Sequence, residues 1–314
     1  MKKKLVAGAV TLLSVVTLAA CANGTNKDIV TMKGDTITVS DFYDEIKTNQ
    51  GAQQVLFQMT INKVFEKEYG SKVSDKEVDK ELAKQKKQLG KQFDAYLAQQ
   101  GLTEETAKKQ IRSNMLLEYA VNQAAKKDIK ESDYKAAFES YTPEVTAQII
   151  KLDSEDKAKE VLEAAKAEGA DFAQIAKDNS TDTATKDKGG EVKFDSGTTN
   201  IPSQVKEAAF KLDENGISDV ITVSAGQNYS ASYYIVKLNK KTEKGSDWKK
   251  YEKRLKEIIV DSRKQDTNYI RSIIAKAMTN ANIKVKDDAF KSTFNQYLQN
   301  IGVETSGSSS SSKK

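Results

Sequence analysis

The sequence predicts an α+β fold in which a compact mixed domain interrupts a helical one. Two observations carry this prediction. Apolar residues recur at helical spacing over residues 40–141 and again over 247–280, and no proline occurs before Pro143. Between these stretches the sequence pattern changes to short β-rich runs that alternate with short helical ones. The helical domain is therefore expected to be discontinuous, with N-terminal and C-terminal segments that pack together.

The first element is an export signal. Three lysines, Lys2 to Lys4, precede an uncharged run from Leu5 to Ala20, which is the layout of a secretory signal. Cys21 is the only cysteine and follows Leu-Ala-Ala directly, an arrangement that resembles the bacterial lipobox. We expect residues 1–20 to be removed, Cys21 to carry a diacylglyceryl group, and residues 21–28 to form the lipidated tether.

The alternative is a plain signal anchor with an incidental cysteine, but the apolar run is short for a membrane span of about 20 residues. Acyl chains on Cys21 would hold the protein on the extracytoplasmic face of the cell membrane. The bilayer is then one predicted partner.

Composition excludes several classes of function. The formal charge of +5 falls to +2 without the three signal lysines, which argues against nucleic acid as a main partner. The chain contains no histidine, which removes Ser-His-Asp and Cys-His catalysis and histidine metal sites. No metal and no cofactor are expected.

Residues 29–142 form the predicted N-terminal, mostly helical segment. It opens with a hairpin over 29–39, in which Lys33-Gly34-Asp35 is the turn, and the first helix is expected to begin at Ser40. Breaks are expected at 70–71 and 101–103.

Residues 143–240 form the predicted α+β domain. Its expected strands and helices, in chain order, are strand 145–152, helix 154–167, helix 171–177, strand 191–194, helix 202–212, strand 217–223 and strand 233–238. Residues 241–304 form the C-terminal helical segment, with a helical pattern over 247–280, a β-like run at 283–285 and a last helix over 287–299. Residues 305–314 are rich in serine and are expected to be disordered.

Motifs in the centre resemble the parvulin-type peptidyl-prolyl isomerases. The matching stretches, in order, are Ala170-Asp171-Phe172 with Ile175-Ala176, Ser180-Thr181-Asp182, Lys188-Gly189-Gly190-Glu191, Glu207-Ala208-Ala209-Phe210-Lys211-Leu212 and Gly216-Ile217-Ser218. With the lipobox and the helical flanks, the whole plan resembles the foldase lipoproteins of Gram-positive bacteria. It is also similar to SurA-type chaperones, so the resemblance implies a discontinuous SurA-like helical domain around a parvulin-like one.

The resemblance also implies where an active site would lie. Parvulins usually carry two histidines under the active-site floor and a cysteine or aspartate in a loop, and the matching positions here are Gln148, Tyr234 and Asp182. The apolar residues that hold the proline fall at Ile201 and Val205, and Phe210 is retained. Both histidines are thus replaced, and the apolar socket is smaller than usual.

The function implied is that of a membrane-anchored extracytoplasmic foldase that assists secreted proteins after translocation, with unfolded secreted proteins as partners. Its isomerase activity is expected to be weak or lost, and a homodimer is left open. A solute-binding lipoprotein and a surface adhesin are the alternatives. The long strandless run over 40–141 argues against the first, and no spacing in the sequence excludes the second.

Overall fold

The fold is that of a computed structural model and is described for residues 27–225 and 230–298. Cys21 and the tail 305–314 lie outside these ranges. The helices are α1 Val39–Ile46, α2 Gln50–Tyr69, α3 Asp75–Leu89, α4 Phe93–Gln99, α5 Glu104–Lys127, α6 Glu131–Ser140, α7 Glu155–Lys166, α8 Phe172–Asn179, α9 Ser203–Lys211, α10 Glu252–Gln265, α11 Thr267–Asn280 and α12 Lys291–Leu298. The strands are β1 Asp28–Met32, β2 Asp35–Thr38, β3 Val145–Leu152, β4 Glu191–Phe194, β5 Ile221–Ala225 and β6 Ser230–Lys240.

The predicted α+β class is confirmed: helical segments flank a central domain that contains a four-stranded sheet. Two compact units are distinguished, one formed by Met1–Gly70 with Ile274–Lys314 and the other by Ser71–Ile273. The boundaries between these units lie within the helical regions and differ from the predicted domain boundaries. The predicted division after residues 142 and 240 stays a prediction. Within the described ranges, no helix is both long and apolar enough to cross a bilayer.

In the first unit, the N-terminal segment packs with α12 from the C-terminal segment. The β1–β2 hairpin leads into α1, which begins after Thr38, because the Thr38 side chain caps the helix and Asp41 bonds back to the Thr38 backbone. Helix α12 packs on α2, where the rings of Phe57 and Phe294 meet edge-on with centroids 5.4 Å apart.

In the second unit, α10 packs along α5 and α6. Leu255 of α10 is wholly buried. Arg263 donates one hydrogen bond to the Ala125 carbonyl at 2.9 Å and another to Asp133 at 2.8 Å. N-terminal and C-terminal helical segments therefore meet in this unit as well.

The central sheet is antiparallel, in the order β4-β3-β6-β5. Side chains along a strand alternate between its two faces. Ile149 and its β6 partner Val236 pack in the apolar cluster that contains α9. Their neighbours Ile150 and Ile235 pack in the opposite cluster, with α7 and α8. The sheet thus has one face for α9 and another for α7 and α8.

Three expected elements differ from the structure. The strand expected over 217–223 begins only at Ile221, and Ile217 forms an isolated bridge. The helical pattern expected over 247–280 is divided at Asp266 into α10 and α11, and the Asp266 carboxylate accepts hydrogen bonds from the Asn268 and Tyr269 amides. The β-like run 283–285 is not part of a sheet.

Candidate active site

Helix α9 forms one wall of the candidate site. It begins after Pro202, whose fixed φ suits a residue that immediately precedes a helix. Val205 and Ala209, one helical turn apart, are completely buried against the sheet. Val205 is therefore a core residue, and no part of it is available to touch a bound proline.

The accessible part of this face consists of half-buried apolar side chains. Ile201 and Phe210 pack against the same cluster as Val205. The Phe210 ring lies 5.7 Å from that of Phe194, centroid to centroid. Tyr234 of β6 lies on this face too, as does Val192 of β4. Sequence reasoning missed Val192, although the alternation of β4 identifies it, since Val192 pairs with the buried Ala147.

Gln148 does not lie on this face. It is one residue from Ile149 along β3, so its side chain stands on the α8 side of the sheet, where its Nε2 donates to the Gly189 carbonyl at 3.0 Å. Gln148 and Tyr234 therefore lie on opposite faces. The two positions that the resemblance matches to the family's histidines are thus separated by the sheet.

Asp182 shapes the loop between α8 and β4. Its carboxylate accepts from the Thr185 hydroxyl at 2.6 Å and from the Ala184 amide at 3.2 Å, which closes a turn. The loop is held to the edge of β3 because the Thr181 amide donates to the Lys151 carbonyl at 2.8 Å. In this conformation the Asp182 carboxylate has a structural role.

Two glycines allow this loop to approach β3 and α8 closely. Gly190 has a φ of +78°, and a Cβ there would lie 2.5 Å from the Ile149 carbonyl oxygen. Gly189 has a φ of +68°, and a Cβ there would lie 2.7 Å from Ala173. Both positions require glycine for its conformational freedom and for its lack of a side chain.

A buried ionic cluster sits where β4 runs into the α9 loop. The carboxylate of Asp195 accepts two hydrogen bonds from Arg254 of α10, one from the Tyr141 hydroxyl at 3.1 Å and one from Thr198 at 3.0 Å. Burial raises the pKa of Asp195, but Arg254, Thr198 and Tyr141 together outweigh it and leave that pKa below its ordinary value.

The same cluster affects its other members. Burial and the neighbouring Asp195 raise the pKa of Tyr141, while the hydrogen bond to Asp195 raises that of Arg254. Sequence reasoning missed this cluster because Asp195 and Arg254 are far apart in the chain. The described part of the chain contains no group of three or more acidic, histidine or cysteine side chains placed to hold a metal.

Comparison with known proteins adds to this geometry. The family model of the PPIC-type PPIase domain matches residues 141–240. The chain is 62% identical over 302 residues to the foldase protein PrsA of Streptococcus sanguinis, across 96% of this chain and 90% of that protein. It is 61% identical to the foldase protein PrsA of Streptococcus gordonii, across 100% of both chains.

Solved structures agree. The crystal structure of the foldase protein PrsA from Streptococcus pneumoniae matches with a TM-score of 0.78 and 55% identity, across 86% of this chain and 99% of that one. The PrsA structure from Lactococcus lactis matches with a TM-score of 0.65 and 39% identity, across 86% of this chain and 99% of that one. The expected resemblance in plan is confirmed over nearly the whole described chain.

Proposed function

The chain belongs to the PrsA family of foldase proteins, and from that premise we propose that it works mainly by binding unfolded secreted proteins, with only weak prolyl turnover. A foldase role and a PPIC-type peptidyl-prolyl isomerase domain come with the family. This membership replaces the alternatives of a solute-binding lipoprotein and a surface adhesin.

The reaction itself does not require a histidine. Rotation about an X-Pro bond is slow because amide resonance gives a barrier of about 18–20 kcal/mol, and no covalent intermediate forms. A dry pocket that binds the twisted amide better than the planar one lowers this barrier. The isomerisation rate therefore depends on how well the apolar socket binds the twisted amide.

The burial of Val205 is the observation that carries the proposal. Where the family usually presents an aromatic socket residue, this chain has a smaller side chain with no accessible surface. Each methylene removed from contact loses about 0.8 kcal/mol. A loss on the order of 2 kcal/mol in binding the twisted amide slows turnover roughly 30-fold. Ile201, Phe210 and Tyr234 remain as the surface that a proline would touch.

The experiment compares two activities of residues 22–314. Isomerisation is measured on a short X-Pro peptide, and chaperoning is measured as protection of a chemically unfolded protein from aggregation. We expect clear protection with slow isomerisation. Phe210→Ala should lower the remaining turnover and leave protection unchanged. Fast, proline-dependent catalysis by the unmodified protein would show that isomerisation, and not client binding, is its main activity.

The location is a further part of the proposal. A diacylglyceryl group on Cys21 supplies two acyl chains, which suffice for stable anchoring where one would be marginal. The protein would then act on the extracytoplasmic face of the cell membrane, where exported chains emerge unfolded. Its assembly as a monomer or homodimer is to be measured by sedimentation of residues 22–314.

A further inference from the structure

We propose that a cavity in the first unit binds an extended, apolar segment of a client, which adds to residues 284–286 as a β-strand. The inference rests on the proposed function, because it names how the client is recognised. The cavity has a volume of about 730 Å³, within the usual range for ligand pockets. It lies between α2, the segment 282–287, and the aromatic rings of Phe290 and Phe294.

The wall supplied by α2 is apolar and exposed. Val55 is 59% exposed and Met59 is 51% exposed, although both are large apolar side chains. They lie four residues apart, on one face of the helix, and both line the cavity. Methionine adapts its shape to different partners, which suits a site for clients of varied sequence.

The opposite wall has the alternating pattern of a β-strand. Ile283 and Val285 are half-buried, while Lys284 and Lys286 are exposed, so the side chains alternate with a period of two. Within the described residues, no backbone N–H or C=O of Lys284, Val285 or Lys286 makes a hydrogen bond. The sequence predicts a β-like run at 283–285, and among residues 27–225 and 230–298 this run pairs with no strand.

An extended peptide would satisfy both features at once. Its backbone would pair with residues 284–286, and alternate side chains would enter the cavity against α2. Strand addition of this kind takes affinity from main-chain hydrogen bonds and selectivity from the pockets for alternate side chains. Backbone pairing is independent of sequence, so it suits a protein that handles many clients.

The charged residues beside the cavity indicate which peptides it would bind. Lys284 and Lys286 make no ion pair with any described residue. The nearby carboxylate of Asp287 accepts from the Tyr43 hydroxyl at 2.6 Å and from the Ala289 amide at 2.9 Å. The free lysines favour peptides whose outward positions are acidic. They disfavour a second copy of the same segment, because its lysines would face these two.

The test uses a labelled peptide of about nine residues, with leucine or valine at alternate positions and glutamate between them. Backbone N-methylation at alternate residues blocks one edge of the strand and leaves all side chains in place. Methylation of the pairing edge should weaken binding to residues 22–314 about tenfold or more, and methylation of the other edge should not. Replacing the glutamates by lysines should weaken binding about threefold.

Protein variants locate the site. Met59→Asp places a charge in the cavity wall and should abolish peptide binding. Tyr96→Asp is the matched control, since Tyr96 is 44% exposed on α4 in the other unit. It should bind the peptide as the unmodified protein does. Circular dichroism of both variants confirms that each is folded.

Each other outcome overturns the inference. Equal binding of both methylated peptides means that the cavity takes apolar side chains without strand pairing. A dimer that the peptide dissociates means that a second copy occupies the site. Peptide binding that survives Met59→Asp places the site elsewhere. The proposed function fails separately if the unmodified protein does not protect an unfolded protein from aggregation. Binding of the labelled peptide in that case leaves the inference standing.

Discussion

Arg254 donates two parallel hydrogen bonds to the buried carboxylate of Asp195, with Nε to Oδ2 at 2.6 Å and Nη2 to Oδ1 at 2.8 Å. Asp195 directly follows β4 of the isomerase domain, whereas Arg254 belongs to α10 of the C-terminal helical segment. Gly197 packs so closely against Ile258 of α10 that a side chain there would clash. The loop that leads to α9 is therefore fastened to a helix outside the isomerase domain.

Breaking this pair should destabilise the second unit. Arg254→Ala leaves the Asp195 carboxylate buried with Tyr141 and Thr198 as its remaining side-chain donors, at a cost of about 3 kcal/mol in unfolding free energy. Arg254→Lys should lose less, because lysine keeps the charge but not the two parallel bonds. Urea unfolding measures both. Arg271→Ala, at an exposed arginine, is the control and should change stability by less than about 0.5 kcal/mol.

Asp195 also predicts a dependence on pH. Its folded-state pKa lies below the ordinary value of 3.8, although burial alone would raise it. A carboxyl of this kind contributes stability that is complete above its unfolded pKa and is lost as the pH falls through its folded pKa. The difference in unfolding free energy between the unmodified protein and Asp195→Asn should therefore be constant near neutrality and shrink below about pH 4. A difference that stays constant down to pH 3 would contradict this account.

The close approach of the α8–β4 loop makes Gly190 sensitive. Gly190→Ala combines a left-handed backbone with a Cβ placed 2.5 Å from the Ile149 carbonyl oxygen. Gly169 has nearly the same φ, +76°, but a Cβ there would have nothing within 4 Å. Gly169→Ala should cost about 1 kcal/mol from backbone strain alone. Gly190→Ala should cost clearly more, by about 2 kcal/mol, as measured by thermal unfolding.

Substitutions on the two faces of the sheet should separate catalysis from stability. Tyr234→Ala removes part of the accessible apolar face and should lower the remaining isomerase rate several-fold. Gln148→Ala removes a hydrogen bond to the Gly189 carbonyl on the other face and should cost about 1 kcal/mol in stability without a comparable loss of rate. Peptide isomerisation and urea unfolding of both variants measure this. A large loss of isomerase rate in Gln148→Ala alone would indicate that Gln148 belongs to the active site.

Anchoring is tested in cells. Cys21→Ala removes the thiol that carries the proposed lipid, and the variant should be released or should accumulate as an unprocessed precursor. Fractionation of membranes and medium, followed by immunoblotting, shows which. Cys21→Ser is a second variant with the same expected outcome, since a hydroxyl cannot form the thioether. Tight membrane association of a normally processed variant would exclude the lipid as the anchor.

Local patterns in the sequence predicted most elements well. β3 and β4 have the expected bounds, and α7 starts after Ser154 as its capping pattern indicates. Alternation, capping and glycine positions depend on neighbours a few residues away, so the sequence contains them directly. The motif series was equally informative, because matches in a fixed order identify a fold without knowledge of any contact.

The sequence by itself determined the α+β class and the family, whereas its assignment of active-site positions stays a prediction. Only the tertiary structure decided that Val205 is sealed in the core, that Gln148 and Tyr234 lie on opposite faces, and that Asp195 meets Arg254. It also decided that residues 284–286 pair with no strand in the part of the chain that the structure describes. These properties depend on sheet register and on contacts between distant residues, and a one-residue change of register would exchange the two faces of a strand.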